Sequence, residues 1–148
     1  MATIKIFTEN GVNIPVYKTN GSVGFDIESN EDVKLKPGER KLIHTGLYME
    51  IPAGYELQVR PRSGLSLKHG FVPILGTIDN DYRGEIGVIG VNINNTGHFQ
   101  IDKGDRIAQG VLAPIEIAKF EKVDSIDELS KTDRGTGGFG STGIYLLI

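Results

Sequence analysis

The 148-residue chain has no cysteine. A disulfide framework, a thiolate metal site and a cysteine nucleophile are therefore excluded. The zinc nucleotide deaminases go with them, because their metal needs cysteine ligands. The same absence fits a reducing compartment. No apolar run approaches the roughly 20 residues that a membrane span requires, and residues 1–10 carry no apolar signal region. A cytoplasmic, intracellular protein with no membrane partner is the expectation. Positive charge is not in excess: 16 Lys and Arg stand against 19 Asp and Glu, a formal net charge of −3. That argues against a surface built to coat nucleic acid, but it leaves room for a small polyanion held by a local basic cluster. His44, His69 and His98 are scattered, with no H-x-x-x-H metal spacing. No amphipathic helix of ordinary length, internal repeat or linker can be read.

What the chain does have is 20 glycines, many of them in turn signals between short alternating runs. Residues 3–7, 33–36 and 55–60 alternate apolar and polar side chains. In the last of these Tyr55, Leu57 and Val59 share one face, and Glu56, Gln58 and Arg60 share the other. Residues 84–92 form another strand candidate, with Ile86, Val88 and Gly90 on one side, and residues 106–112 and 115–120 look similar. Asn20-Gly21, Pro37-Gly38, Pro52-Ala53-Gly54 and Asp102-Lys103-Gly104 punctuate the runs. One helical turn is predicted over residues 125–129, where Ser125 and Glu128 have capping-box spacing. Short strands with dense turns predict an all-β sandwich or barrel. Composition breaks near Lys131, which predicts a β domain over residues 1–130 and a C-terminal arm over 131–148.

Four polar, glycine-containing segments interrupt the strands. The first is Arg134-Gly135-Thr136-Gly137-Gly138-Phe139-Gly140-Ser141-Thr142-Gly143. It contains G-x-G-x-x-G, but the dinucleotide motif must open a helix inside a βαβ unit, and only a few residues follow here. A P-loop fails as well, for want of Gly-Lys-[Ser/Thr]. Two readings remain, a disordered tail or an arm that closes on a ligand. Arg134 and Phe139 favour the arm. Glycine amides, hydroxyls and a guanidinium suit phosphate oxygens, and a phenyl ring stacks on a base for roughly 1–3 kcal/mol. The second segment, Pro61-Arg62-Ser63-Gly64 with Lys68 nearby, is either a solvated turn or a compact anion site. The third, residues 76–84, is either an Asn/Asp-rich turn or a hairpin whose carboxylate serves as general base for water. Tyr82 there offers a flat wall for a sugar. In the fourth, Gly24-Phe25-Asp26-Ile27, the lone Asp26 either holds a turn or orients a metal-bound water. Arg106 and Gln109 form a further polar pair on a strand.

Taken in order, these segments resemble the five motifs of the trimeric dUTPase (dUTP diphosphatase) family, and the likeness spans nearly the whole chain. Residues 23–27 are similar to the first motif, 61–65 to the second, 76–85 to the third, 104–109 to the fourth and 134–143 to the fifth. The resemblance implies a jelly-roll-like β fold and a homotrimer with active sites at subunit interfaces. It also implies Mg²⁺-dependent hydrolysis of dUTP to dUMP and pyrophosphate, which lowers dUTP, keeps uracil out of DNA and supplies dUMP for dTTP synthesis.

Residue by residue, the resemblance makes Asp79 the general base for a water that attacks the α-phosphorus. Asp26 would hold a magnesium-bound water. Arg62, Ser63 and Gly64, assisted by Gln109, would grip the phosphate chain, and Arg134, Ser141 and Thr142 would clamp its far end. Tyr82 would lie against the deoxyribose where a 2′-hydroxyl collides. Uracil would enter residues 76–87, framed by the backbone of Gly76, Thr77, Ile78 and Gly87, with Phe139 and Gly140 closing over it. The related dCTP deaminases share the fold, but the intact fifth motif and Gly76-Thr77-Ile78-Asp79-Asn80-Asp81-Tyr82 favour dUTPase. The chain departs from the family pattern in three places. Val23 replaces a common Ala. Pro73 stands where some members have a base-binding Asn, leaving uracil to backbone groups. Gly110 stands where a larger apolar residue is common. The apolar residues 144–148 are expected to pack on a neighbouring subunit.

Overall fold

A run of alternating residues becomes a strand when a second run lies ready to pair with it, and the computed structural model, which describes residues 2–141 and 143, contains eleven such strands. In chain order they are β1 (Lys5–Thr8), β2 (Phe25–Glu28), β3 (Val33–Leu35), β4 (Arg40–Ile43), β5 (Leu47–Glu50) and β6 (Tyr55–Arg60). A short helix, α1 (Ser63–His69), follows. Then come β7 (Phe71–Pro73), β8 (Gly76–Ile78), β9 (Val88–Asn92), β10 (Phe99–Ile101) and β11 (Arg106–Pro114). Every ladder is antiparallel. The sheets run β2-β11-β6-β8, β4-β9-β7, β1-β5 and β10-β3, a jelly-roll-like, all-β architecture.

The alternation sets the core. Leu57 and Val59 of β6 are buried, as are Phe25 and Ile27 of β2 and Val33 and Leu35 of β3. Ile43, Phe71, Ile86 and Val88 are wholly inaccessible to solvent and join them in one cluster. Each such side chain contributes about 1.5–3 kcal/mol relative to exposure. Gly110, opposite Phe25 in the β11–β2 ladder, has a local reason for its lack of a side chain: a Cβ there would stand 2.5 Å from the Phe25 ring. The phenyl group fills the space that a larger residue would occupy. The register also slips between Arg106 and Ala108. Such a bulge turns the strand locally, and it sends the consecutive Ile107 and Ala108 both inward.

Several expectations change. Asp26 lies within strand β2 and holds no turn. The run 84–92 becomes a strand only from Val88, although Ile86 already faces inward and Glu85 forms an isolated bridge to Tyr48. Residues 115–120 alternate but join no ladder among the described residues, and Ile117 and Phe120 are exposed. Helix α1 occupies what reads as a turn. The helical turn Ile126–Glu128 is present with its full capping box between Ser125 and Glu128. The chain comprises two compact units, one ending at Glu116 and the other beginning at Ile117. The expectations for Thr142 and for residues 144–148 fall outside the described residues.

Candidate active site

Three strands set a polar row. Gln109 of β11 pairs with Asp26 of β2 on one side and with Arg60 of β6 on the other. All three are half-buried and lie off the core face. Where β6 ends, Pro61 turns the chain into α1 and carries Arg62 over this row. The Arg62 Nε lies 3.2 Å from Asp26 Oδ1, and an Arg106 guanidinium nitrogen lies 3.3 Å from Asp26 Oδ2. Arg62 also donates to the Arg106 carbonyl at 2.7 Å, and Gln109 Nε2 donates to the Pro61 carbonyl at 2.8 Å. One carboxylate thus holds two guanidinium groups in place. Gly24 permits the approach of the Gln109 side chain, since a Cβ there would lie 2.7 Å from its Oε1.

Arg62, Ser63, Gly64, Leu65, Lys68, His69 and Gln109 line a cavity of about 400 Å³. Its lining has cations and donors but no carboxylate, which suits a polyanion. A Cβ on Gly64 would meet nothing within 4 Å, and the first turn of α1 has no side-chain cap. Among the described residues no side chain caps these amides, and the space beside Gly64 is open. Sequence reasoning had placed Arg62, Ser63, Gly64 and Gln109 here. Leu65 and His69 join them because the three- and four-residue offsets of helix α1 bring Arg62, Leu65, Lys68 and His69 to the same wall.

The second group is the hairpin 76–87. Gly76, Thr77 and Ile78 form β8, and Asp79 leaves the sheet with an exposed carboxylate. A turn follows, closed by Tyr82 N–H to the Asp79 carbonyl at 3.2 Å. Tyr82 lies over Gly84 and donates its hydroxyl to the Glu85 carbonyl at 3.1 Å. Gly87 approaches Leu42. Pro73 is a buried residue of β7 opposite Gly90.

These two groups are not brought together within one chain. Strand β8 runs antiparallel to β6, and Ile78 pairs with Leu57 while Gly76 pairs with Val59. Asp79 therefore exits toward the Glu56 end of β6, whereas Arg62 follows the Arg60 end. The three steps from Leu57 to Arg60 alone span about 10 Å.

Glu85, which the sequence reading did not single out, ties the hairpin down. Its Oε1 accepts the backbone N–H groups of Thr45 at 2.9 Å and Gly46 at 2.8 Å, and its Oε2 lies 2.8 Å from His44 Nδ1. Desolvation pushes this carboxyl up, but the bonds from His44, Gly46 and Thr45 outweigh it and hold it below its ordinary 4.5. The Glu85 bond and charge hold His44 above its ordinary 6.5. The signs give a pH window. A raised His44 contributes stability that is full below about pH 6.5 and is lost as pH rises through its folded value. A lowered Glu85 contributes stability that is full above about pH 4.5 and is lost as pH falls through its folded value. The difference in urea midpoint between the wild type and His44→Ala is therefore expected to be largest between about pH 4.5 and 6.5 and to shrink on either side. Because the His44 side chain is 57% exposed, the change is small. A pH-independent difference would show that the pair carries no linkage.

The third group lies in the second unit. Arg134 donates from Nε to the Gly137 carbonyl at 2.8 Å, and Gly137 N–H returns a bond to the Arg134 carbonyl at 3.0 Å. Ser141 N–H bonds the Gly138 carbonyl. Phe139 has a left-handed φ of 49° and a fully exposed ring. Gly140 has a φ of 90°. Among the described residues, this apolar ring, held in solvent on an unfavourable backbone conformation, has no packing partner.

The model of the dUTPase family matches residues 10–143. The chain is 57% identical to the deoxyuridine 5′-triphosphate nucleotidohydrolase of Nautilia profundicola, over 88% of this chain and 90% of the relative. It is 53% identical to that of Roseobacter denitrificans, over 91% and 90%. Its fold is similar to a mutant dUTPase of Staphylococcus bacteriophage 80alpha carrying dUpNHpp, with a TM-score of 0.89 and 29% identity over 96% of this chain and 99% of the other. A phage phi11 dUTPase mutant, described with a structural Mg(II) ion, has a TM-score of 0.78 and 27% identity over 84% and 99%. With the matched model spanning the polar row, the hairpin and the arm alike, the chain belongs to the dUTPase family.

Proposed function

We propose that this chain hydrolyses dUTP to dUMP and pyrophosphate, as an intracellular homotrimer whose arm, residues 131–148, closes over the bound nucleotide. The observation that carries the reading is the cavity of Arg62, Ser63, Gly64, Lys68 and Gln109, a polyanion cradle beside a carboxylate that already orients two guanidinium groups. The triphosphate chain lies there, gripped by charge-assisted bonds of about 1.5–3 kcal/mol each.

Asp79 takes a proton from a water molecule as that water attacks the α-phosphorus in line. The bond from the α-phosphorus to the bridging oxygen breaks, and pyrophosphate leaves. Little covalent work falls to the protein, so positioning and charge dominate. Mg²⁺ suits this site. It is bound mostly by substrate phosphates and waters with few carboxylates, and each Asp26 oxygen, having accepted one guanidinium contact, keeps a lone pair for a metal-bound water. When bound, the ion would neutralise charge on the phosphate oxygens. Tyr82 stands against the deoxyribose and rejects a 2′-hydroxyl. The backbone of Gly76, Thr77, Ile78 and Gly87 reads uracil in a slot too tight for a 5-methyl group. Arg134, Ser141 and Thr142 clamp the outer phosphates, and Phe139 and Gly140 cover the base.

The strand register supports a site shared between chains. Asp79 and the cradle leave opposite ends of β6, which favours a site made of the hairpin of one chain and the cradle of another. The exposed Phe139 fits a third contribution from an arm. A panel of nucleoside triphosphates with Mg²⁺, scored for pyrophosphate release, tests the reading. Release from dUTP, with UTP, dTTP and dCTP at least about 10²-fold slower in kcat/KM, is expected for a site that excludes by clash and unpaired polar groups. Equal release from dCTP or UTP would remove the proposed base and sugar contacts.

A further inference from the structure

The hairpin that presents Asp79 and Tyr82 is held to the rest of the chain through Glu85, which is assigned no contact with substrate above. We propose that Glu85 is a positioning residue for sugar selection: its carboxylate, seated in the β4–β5 corner, fixes where the Tyr82 ring stands. The inference rests on the reading that Tyr82 faces the deoxyribose.

Three consecutive amides in that corner end on carboxylates. His44 N–H bonds Glu31 Oε1 at 2.8 Å, and the next two, of Thr45 and Gly46, both bond Glu85 Oε1. Gly46 has a φ of 66°. Successive amides around such a left-handed residue form a concavity for an anion, and here the anion is supplied by the hairpin itself. The next residue continues the attachment, with Ile86 N–H to the Leu47 carbonyl at 2.8 Å and Thr45 Oγ1 to the Ile86 carbonyl.

On the other side of Glu85 stands the ring. Its hydroxyl bonds the Glu85 carbonyl, and it lies so close to Gly84 that an added Cβ would be 2.2 Å from the phenol oxygen. Tyr82 is therefore braced by Gly84 and Glu85, and the position of that backbone is set by the Glu85 side chain in its seat. A residue of merely structural importance would lower stability or alter all substrates alike. A brace for the sugar wall alters the choice between deoxyribose and ribose.

The experiment measures kcat and KM for dUTP and UTP, with Mg²⁺, in the wild type and in Glu85→Ala, Glu85→Asp, Glu85→Gln and Gly84→Ala. Glu85→Ala is expected to raise KM for dUTP several-fold, to change kcat little, and to lower the dUTP-to-UTP ratio of kcat/KM by about tenfold, the effect of losing one hydrogen-bonded constraint. Glu85→Asp withdraws the carboxylate by one methylene and is expected to give the same loss, and it decides the matter if the alanine variant does not fold. Glu85→Gln keeps an oxygen for both amides and restores most of the ratio. Gly84→Ala displaces the ring while leaving the seat intact and lowers the ratio alone. An unchanged ratio in a folded Glu85→Ala or Glu85→Asp overturns the inference, as does an equal loss on both substrates. Wild-type protein that releases no pyrophosphate from dUTP would instead overturn the function proposed above.

Discussion

Asp79→Asn is expected to bind dUTP as the wild type does and to lose about 10²–10⁴-fold in kcat, the usual contribution of a positioned general base. The amide is isosteric with the carboxylate but accepts no proton at neutral pH, so positioning survives and activation of the water does not. Asp79 is exposed and lies at the end of β8, outside the core, where substitutions usually change stability by under about 0.5 kcal/mol. An unchanged melting midpoint, an unchanged Kd for a non-hydrolysable dUTP analogue and a collapsed kcat together make the case. Turnover near the wild-type rate would place the base elsewhere, and Asp81→Asn, at the exposed turn next door, serves as the comparison.

Deleting everything after Lys131 is expected to leave a folded, assembled β unit with kcat/KM reduced by about 10²-fold or more, since Arg134 and the arm hydroxyls would each have supplied a charge-assisted bond of about 1.5–3 kcal/mol. The expectation of intact folding has a specific basis. Among the described residues, every buried hydrophobic side chain lies at or before Val111, and the unit that contains them ends at Glu116. The urea midpoint and the sedimentation of the truncated chain therefore match the full-length protein. Full activity in the truncated form would remove the arm from the mechanism.

Residues 55–60 were legible as a strand because six positions suffice to count a period and both faces are well marked. The 3-10 turn at Ile126–Glu128 was legible because a capping box is a local device with its own spacing. The three-residue strands β7, β8 and β10 have too few positions for a period to show, and the four-residue β2 hid Asp26 among apolar neighbours in a segment that reads equally as a turn. Helix α1 has only seven residues, a glycine among them and no buried position. Its hydrophobic stripe is absent, and tertiary packing decides its form. Residues 115–120 show the opposite case, a strand-like alternation with no ladder to complete it among the described residues. In the site, residue types carried the chemistry of Arg62, Ser63, Gly64 and Gln109. The bond from Arg106 to Asp26 depends on a strand bulge, and the seat of Glu85 lies forty residues away in sequence. Neither has a local signature.

The antiparallel register of β8 on β6 has a genetic consequence. On the trimeric reading, a chain lends its hairpin to one site and its cradle to another. A single lesion then spoils one site and leaves the altered chain's other contribution in use, so a loss-of-function allele co-expressed with the wild type should lower activity only in proportion to its share. Two inactive alleles with lesions at opposite ends of the same strand should, by contrast, restore some activity to one another in mixed assemblies, because some sites would draw only intact parts from each.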